Sequence, residues 1–323
     1  MRRRIMNSES QYFQDVMQGV EHLYQNSMRF LDDQYHISVR LQVPHQPRVS
    51  IIGICDGGHL PLFAEYVGKE ELDGSVQGDV FTAPSIVDIR SLIQEVDQGK
   101  GVIVFNFHWD DPYMKNIDQA INSSSANKVY KVVIQDDCMQ QPWNDFTIRL
   151  SGCGLIWAMK IAYTAAKKGM DIIEILTLLT NVQKNMRSAS VCANSFYVNQ
   201  SHPYLRVDEN KMQIGIGIHG EPGFEMVAFP KAETIAEHLF RHRLNQELNL
   251  HKGDRVALMI NNLGTCSREE LMIIFSEEYK QLCQKDINVV ISQVGTFVSS
   301  LDLNGVAIAI LKLNHTTENL LKE

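Results

Sequence analysis

The sequence predicts an α/β protein of two domains, each a mixed sheet flanked by helices. Three observations carry that expectation. β-branched apolar runs alternate with amphipathic helical patterns from about residue 48 onward, the alternation restarts in the second half, and a Ser- and Asn-rich tract of small residues, 187–202, lies between. The tract sets an expected boundary, with domains at 1–186 and 187–323.

In the first half, strands are expected at 49–55, 102–107 and 129–135, each bounded by Gly, Asp or Asn. Apolar residues of 85–96 recur at spacings of three and four, which predicts an amphipathic helix ending before Gly99 and Gly101. Further helices are expected at 113–123, 155–168 and 172–186, the last two broken at Gly169, and a separate short helix in the first thirty or so residues. In the second half, strands are expected at 213–218, 255–260, 288–294 and 306–313, with helices at 232–248 and 268–285. Ser267-Arg268-Glu269-Glu270 has the form of a capping box. No helical pattern separates the last two strands, so they are expected to pair antiparallel through the turn 299–305.

Composition excludes several function classes. The 323 residues are 44% hydrophobic and 21% charged, ordinary for a globular chain. A net charge of -8 opposes direct nucleic-acid binding, which draws on clustered Lys and Arg. Arg2-Arg3-Arg4 is followed by polar residues where a secretion signal would need an apolar segment, and no apolar run approaches the roughly 18 residues of a membrane span. Six cysteines are scattered without a Cys-x-x-Cys pair, which suits reduced thiols, so a cytoplasmic location is expected.

The densest chemical signal is residues 214–223, Ile-Gly-Ile-Gly-Ile-His-Gly-Glu-Pro-Gly. His219 is expected at the end of an apolar strand, with Glu221 near enough to orient one ring nitrogen. Such an imidazole can serve as base, metal ligand or nucleophile, and the residues alone leave all three open. Gly215, Gly217 and Gly220 formally satisfy a dinucleotide fingerprint, but Pro222 opposes the helix that fingerprint requires.

A second constellation, Cys55-Asp56-Gly57-Gly58-His59-Leu60-Pro61, follows the first strand, at the edge where α/β sheets hold ligands. A third, Phe107-His108-Trp109-Asp110-Asp111-Pro112, follows the next strand, where either Asp can also cap a helix. Asp136 and Asp137 form an acidic pair at the corresponding edge, a weak signal for Mg²⁺. His238 and His242 stand at i, i+4 but are expected on a solvated helix face, and no Gly-x-Ser-x-Gly elbow supports a serine hydrolase.

At these residues the chain resembles the dihydroxyacetone-binding subunit family of bacterial dihydroxyacetone kinase, DhaK, over almost its whole length. Residues 57–61 are similar to that family's Gly-Ser-Gly-His-Glu-Pro loop, and residues 78–84, Gly-Asp-Val-Phe-Thr-Ala-Pro, to its Gly-Asp-Val-Phe-Thr-Ser-Pro segment. Residues 215–223 are the most specific match, while Asn261-Asn262-Leu263-Gly264 and residues 296–305 resemble the second-domain signatures.

The resemblance implies that His219 adds through its ring nitrogen to a substrate carbonyl, giving a covalent hemiaminal, and that His59 and Asp110 flank the substrate hydroxyls. It implies a substrate site of Gly57, Gly58, His59, Phe81, Thr82, Phe105, Asp110, His219 and Glu221, with no metal and no cofactor, and a homodimer. The chain departs from the family at Asp56, at Leu60 and at Phe105, where the family has a lysine. It also diverges at 136–140 and 148–152, the region expected to meet a nucleotide-bearing partner subunit. Retained ligand capture beside altered docking residues resembles the paralogue DhaQ, a coactivator of a TetR-type transcription regulator. Two functions are therefore expected: a dihydroxyacetone sensor that activates such a regulator, without touching DNA itself, or an active kinase subunit.

Overall fold

The computed structural model describes residues 4–69, 71–107, 112–126, 128–139, 149–194 and 206–323. The chain divides into two compact units. Unit 1 comprises Met1–Val133, Met159–Leu179 and Glu323; unit 2 comprises Ile134–Ala158 and Thr180–Lys322. Both units carry a six-stranded mixed sheet with helices, as the sequence predicts.

Unit 1 opens with helix α1 (Tyr12–Tyr24) and strands β1 (Met28–Phe30) and β2 (Ile37–Arg40). β3 (Ser50–Gly57), β4 (Gly74–Val80), helix α2 (Ile86–Val96), β5 (Val102–Asn106), α3 (Tyr113–Asn122) and β6 (Val129–Val133) follow. The sheet order is β1-β2-β4-β3-β5-β6; β4, β3, β5 and β6 run parallel, whereas β2 runs antiparallel to β4. Parallel strands covered by helices are apolar almost throughout, and every residue of β3 is buried. Ile52, Ile54, Val102 and Val104 pack with Ile89, Leu92 and Ile93 of α2 and Ile117 of α3. Truncating one such residue, for example Leu92→Ala, costs about 2–5 kcal/mol. Ser85 caps α2 by accepting from the Asp88 backbone N–H at 3.1 Å.

Helices α4 (Leu155–Lys167) and α5 (Ile172–Lys184) precede β7 (Met186–Cys192), β8 (Lys211–Ile214) and β9 (Glu225–Ala228). Helix α6 (Ala232–Leu239) runs through a π turn at Phe240–Leu244 into α7 (Asn245–Leu248), followed by β10 (Arg255–Asn262), α8 (Arg268–Gln284), β11 (Asn288–Gly295), β12 (Gly305–Lys312) and α9 (His315–Lys322). The sheet order of unit 2 is β11-β10-β12-β7-β8-β9. Ser267 and Glu270 form the expected capping box at α8.

Two expectations are corrected. The last two strands do not pair with each other: β10 lies between them, parallel to β11 and antiparallel to β12. α8 carries the chain from β10 to β11 as a crossover, and the following turn returns β12 to the free side of β10. The tract expected as a linker contains β7, paired with β12 on one side and β8 on the other. Its small residues serve close packing. A side chain on Gly152 would place its Cβ 1.8 Å from Ser188 Oγ of β7.

The units also part at different positions from the expected single cut at 186/187. Residues 134–139 pack with unit 2 because the Asp136–Cys138 stretch lies along β7: Ser188 N–H donates to the Asp136 carbonyl at 2.8 Å, and Cys138 N–H to the Ser188 carbonyl at 2.9 Å. No helix among the described residues is long and apolar enough to cross a membrane. None of the six cysteines is in a disulfide; Cys55, Cys138, Cys153 and Cys192 are buried.

Candidate functional site

In unit 1 the parallel strand β3 delivers a loop from its C-terminal end. Gly57 closes the strand, and Gly58 follows at φ 107°, a conformation that favours glycine. His59 is fully buried, with Nε2 3.2 Å from Asp56 Oδ1. The second Asp56 oxygen accepts from the Tyr113 hydroxyl of α3 at 3.1 Å. The His59 ring meets Phe81 and Phe107 edge-on, at centroid distances of 5.4 and 5.5 Å. Phe81 N–H donates to the Gly57 carbonyl at 3.2 Å, so the Gly78–Pro84 segment is tied to the histidine loop.

The expected residues Gly57, Gly58, His59 and Phe81 are thus brought together. Thr82 lies in the same turn, its N–H donating to the Asp79 carbonyl at 2.9 Å. Phe105 sits inside β5 opposite Gly53, fully buried, and Phe107, two residues on, supplies the ring that touches His59. Asp56, expected as an added negative charge in the loop, is buried and shares its carboxylate between His59 and Tyr113. Its spacing of three from His59 was the available signal; Tyr113 carried none. Asp110, His108 and Asp111 lie outside the described residues.

In unit 2, β8 and β9 form an antiparallel pair, and the glycine-rich motif is the connection between them. This corrects the expected strand 213–218: β8 ends at Ile214, and His219 stands in a turn closed by Gly220 N–H donating to the Gly217 carbonyl at 3.0 Å. Strand pairing stops because Gly215 takes φ +81° and its N–H turns to the Ser190 carbonyl of β7, at 2.7 Å. The Ser190 hydroxyl donates to the Ile216 carbonyl, anchoring the loop a second time.

Glu221 organises the turn. One carboxylate oxygen accepts the His219 backbone N–H at 3.0 Å, and the other lies 3.2 Å from Nδ1. A carboxylate only accepts, so Glu221 favours the neutral tautomer of His219 that carries its proton on Nδ1. Gly217 is required here: a Cβ at that position would sit 2.1 Å from Glu221 Oε2. Phe224, just past the motif, stacks on His238 at 6.4 Å with the Arg243 guanidinium 4.9 Å from its ring centroid. His238, expected on a solvated face, is therefore half-buried against an aromatic ring.

The acidic pair reads differently in three dimensions. Asp136 is fully buried and accepts from the Gly152 and Gly154 N–H groups, at 2.6 and 2.9 Å, and from Ser188. Burial pushes its carboxyl above the ordinary carboxylate value even against these donors. Asp137 accepts the Met139 N–H at 2.8 Å. Both carboxylates act as loop anchors. Asn261 is likewise structural, donating to the Val298 carbonyl and accepting from the Phe297 and Val298 N–H groups.

A carboxylate-held imidazole in a glycine-bounded turn can serve as a base, a nucleophile or a metal ligand. The chain belongs to the Dak1 domain family, whose match spans residues 18–323. It is 27% identical over 317 residues to the dihydroxyacetone-binding subunit DhaK of PTS-dependent dihydroxyacetone kinase 1 of Listeria innocua, covering 96% of this chain and 94% of the relative. Among solved structures, the dihydroxyacetone kinase operon co-activator DhaQ matches with a TM-score of 0.87 at 24% identity, covering 95% of this chain and 94% of that one. The dihydroxyacetone kinase of C. freundii matches with a TM-score of 0.87 at 25% identity, over 99% of this chain and 58% of that chain. These likenesses establish the two-unit mixed α/β fold.

Proposed function

We propose that this chain traps dihydroxyacetone on His219 and, when loaded, activates a TetR-type transcription regulator as a protein partner. The observation that carries the first half is the double grip of Glu221 on His219. In the proposed step the Nε2 lone pair forms a C–N bond to the ketone carbon. The C=O π pair moves to oxygen, which takes up a proton from water, while the Nδ1 proton passes by way of Glu221 to the resulting hydroxide, so water is regenerated and the adduct is isomeric with its reactants. A ketone is needed, and glycerol is excluded. In unit 1, His59, held by Asp56, and Asp110 are proposed to serve the substrate hydroxyls.

The second half rests on the departures from the kinase subunits: Phe105 where a lysine is expected, the altered loop 54–61, and the diverged stretches 136–140 and 148–152, in which Asp136 and Asp137 are spent on local anchoring. A competing reading, an active kinase subunit, is favoured by the near full-length match to DhaK subunits of PTS-dependent kinases. Mixing the protein with dihydroxyacetone and a nucleotide-loaded partner subunit separates them. No dihydroxyacetone phosphate is expected; turnover would establish the kinase reading. Carbonyl capture is tested by the loss of the C2 carbonyl signal of labelled dihydroxyacetone on binding. That loss should be absent in His219→Ala, and an unchanged signal in the parent protein would refute the adduct.

A further inference from the structure

Within unit 2, a cavity of about 290 Å³ opens between the sheet and helices α6 and α8. Val191 of β7, Met212 of β8, Ile235 of α6 and Ile274 of α8 form a floor in which no side chain is more than 6% exposed. Phe229, just after β9, and Ile273 of α8 also line the cavity but are 56% and 51% exposed, so they stand at its mouth. The His219 turn leaves the β8–β9 pair where Ile214 faces Glu225, whereas Phe229 follows the opposite end, where Lys211 faces Ala228. None of the residues 215–224 lines the cavity.

Three polar lining residues, Cys266, Glu270 and Asn304, lie together. The Cys266 thiol donates to Asn304 Oδ1 at 3.0 Å and lies 3.3 Å from the Gly305 carbonyl oxygen. Burial, and after it the charge of Glu270, pushes this thiol up to about 12, so it stays protonated and is spent on those acceptors. Asn304 uses its backbone N–H on Asn194 Oδ1, at 2.7 Å, and its Oδ1 on Cys266, while its Nδ2 makes no hydrogen bond among the described residues. Glu270 caps α8 through Oε2, which accepts the Ser267 N–H at 2.7 Å, and its Oε1 is uncommitted. An apolar floor is thus paired with one unused amide donor and one unused carboxylate acceptor.

We propose that this cavity binds a small uncharged molecule with an apolar body and a hydroxyl head, an aliphatic alcohol or a phenol. A hydroxyl both accepts and donates, so it can accept the Asn304 amide N–H and donate to Glu270 Oε1. A carboxylate head on the same body would meet the Glu270 charge in a partly desolvated setting. At the roughly 30 Å³ that a water takes up in the liquid, the volume holds about ten groups of that size, enough for a chain of about six carbons or one aromatic ring. Such a body would also cover the exposed apolar surface of Phe229 and Ile273. The proposal is independent of the reading of His219.

Calorimetric titration at neutral pH with hexanol, phenol and hexanoate tests it. Saturable one-to-one binding of hexanol and phenol is expected, with hexanoate about tenfold weaker or worse. Glu270→Gln keeps an acceptor for the α8 cap but removes the charge, so the gap between hexanol and hexanoate should close to about threefold or less. Ala232→Trp, from a half-buried position on the wall, should abolish hexanol binding, and Ile273→Glu, at the exposed mouth, should weaken it about tenfold. The Ile273 variant keeps the test valid if the Ala232 variant fails to fold. His219→Ala should bind hexanol unchanged. Absence of saturable binding, parent-like affinity for hexanol in Ile273→Glu, hexanoate bound as tightly as hexanol by the parent protein, or loss of binding in His219→Ala would each overturn the proposal.

Discussion

Glu221 holds His219 from two sides: Oε2 accepts the backbone N–H at 3.0 Å and Oε1 faces Nδ1 at 3.2 Å. A single carboxylate thereby holds the turn and favours the Nδ1-protonated tautomer, and in the proposed addition the nucleophilicity of Nε2 depends on it. Glu221→Gln keeps the shape but removes the charge. Adduct formation with dihydroxyacetone should weaken by about ten- to a hundredfold, the loss of a charge-assisted hydrogen bond. Titration of the carbon-13 carbonyl signal measures it, and wild-type affinity in the variant would sever the link between the two residues.

Gly217 tests the same geometry without touching a polar group. A Cβ there falls 2.1 Å from Glu221 Oε2, so Gly217→Ala must displace the carboxylate. Ligand binding should fall as in Glu221→Gln, with a stability cost of about 1–3 kcal/mol from overpacking. Urea denaturation and ligand titration separate the two effects.

In unit 1, Asp56 joins His59 to Tyr113 from a site 1% exposed. Asp56→Ala leaves two buried partners unsatisfied and should cost about 1–3 kcal/mol, whereas Tyr113→Phe should cost about 1 kcal/mol. Equal effects in denaturant unfolding would show that the carboxylate is not shared.

Glu278 on α8 is fully buried, and both carboxylate oxygens lack a hydrogen-bond partner among the described residues. Burial alone pushes its carboxyl well above the ordinary value. The folded state therefore holds a proton that the unfolded chain releases. Its stabilising contribution is complete at pH below the unfolded carboxylate value and is lost as pH rises towards the folded one, at about 1.4 kcal/mol per pH unit. Glu278→Gln cannot ionise, so its stability relative to the parent should grow with rising pH through that window. Parallel stability curves for the two proteins, from pH 4 to 9, would contradict it.

Much of the fold was legible because side-chain periodicity is local. The helices at 86–96, 113–122 and 268–284 and the parallel strands fall within a few residues of expectation, since apolar spacing and caps are written in consecutive residues. β7 was hidden because Ser188 and Ser190 look like linker residues until the close approach of Gly152 to Ser188, and the bonds of Ser190 to Gly215 and Ile216, show what they do. Within the candidate site, the His219 and Glu221 pair was legible because the partners are two residues apart. Tyr113 as the partner of Asp56 was not, with β4, α2 and β5 lying between them.

The sequence by itself determined the fold class, the glycine-bounded histidine at 219 and the capped helices, all consequences of short-range spacing and backbone permissiveness. Tertiary structure decided which strands pair, that Asp136 anchors a loop, and that Cys266, Glu270 and Asn304 meet in one cavity. The reason is physical: strand order is set by hydrogen bonds between distant segments, and the worth of a charge depends on burial and on partners that spacing along the chain does not specify.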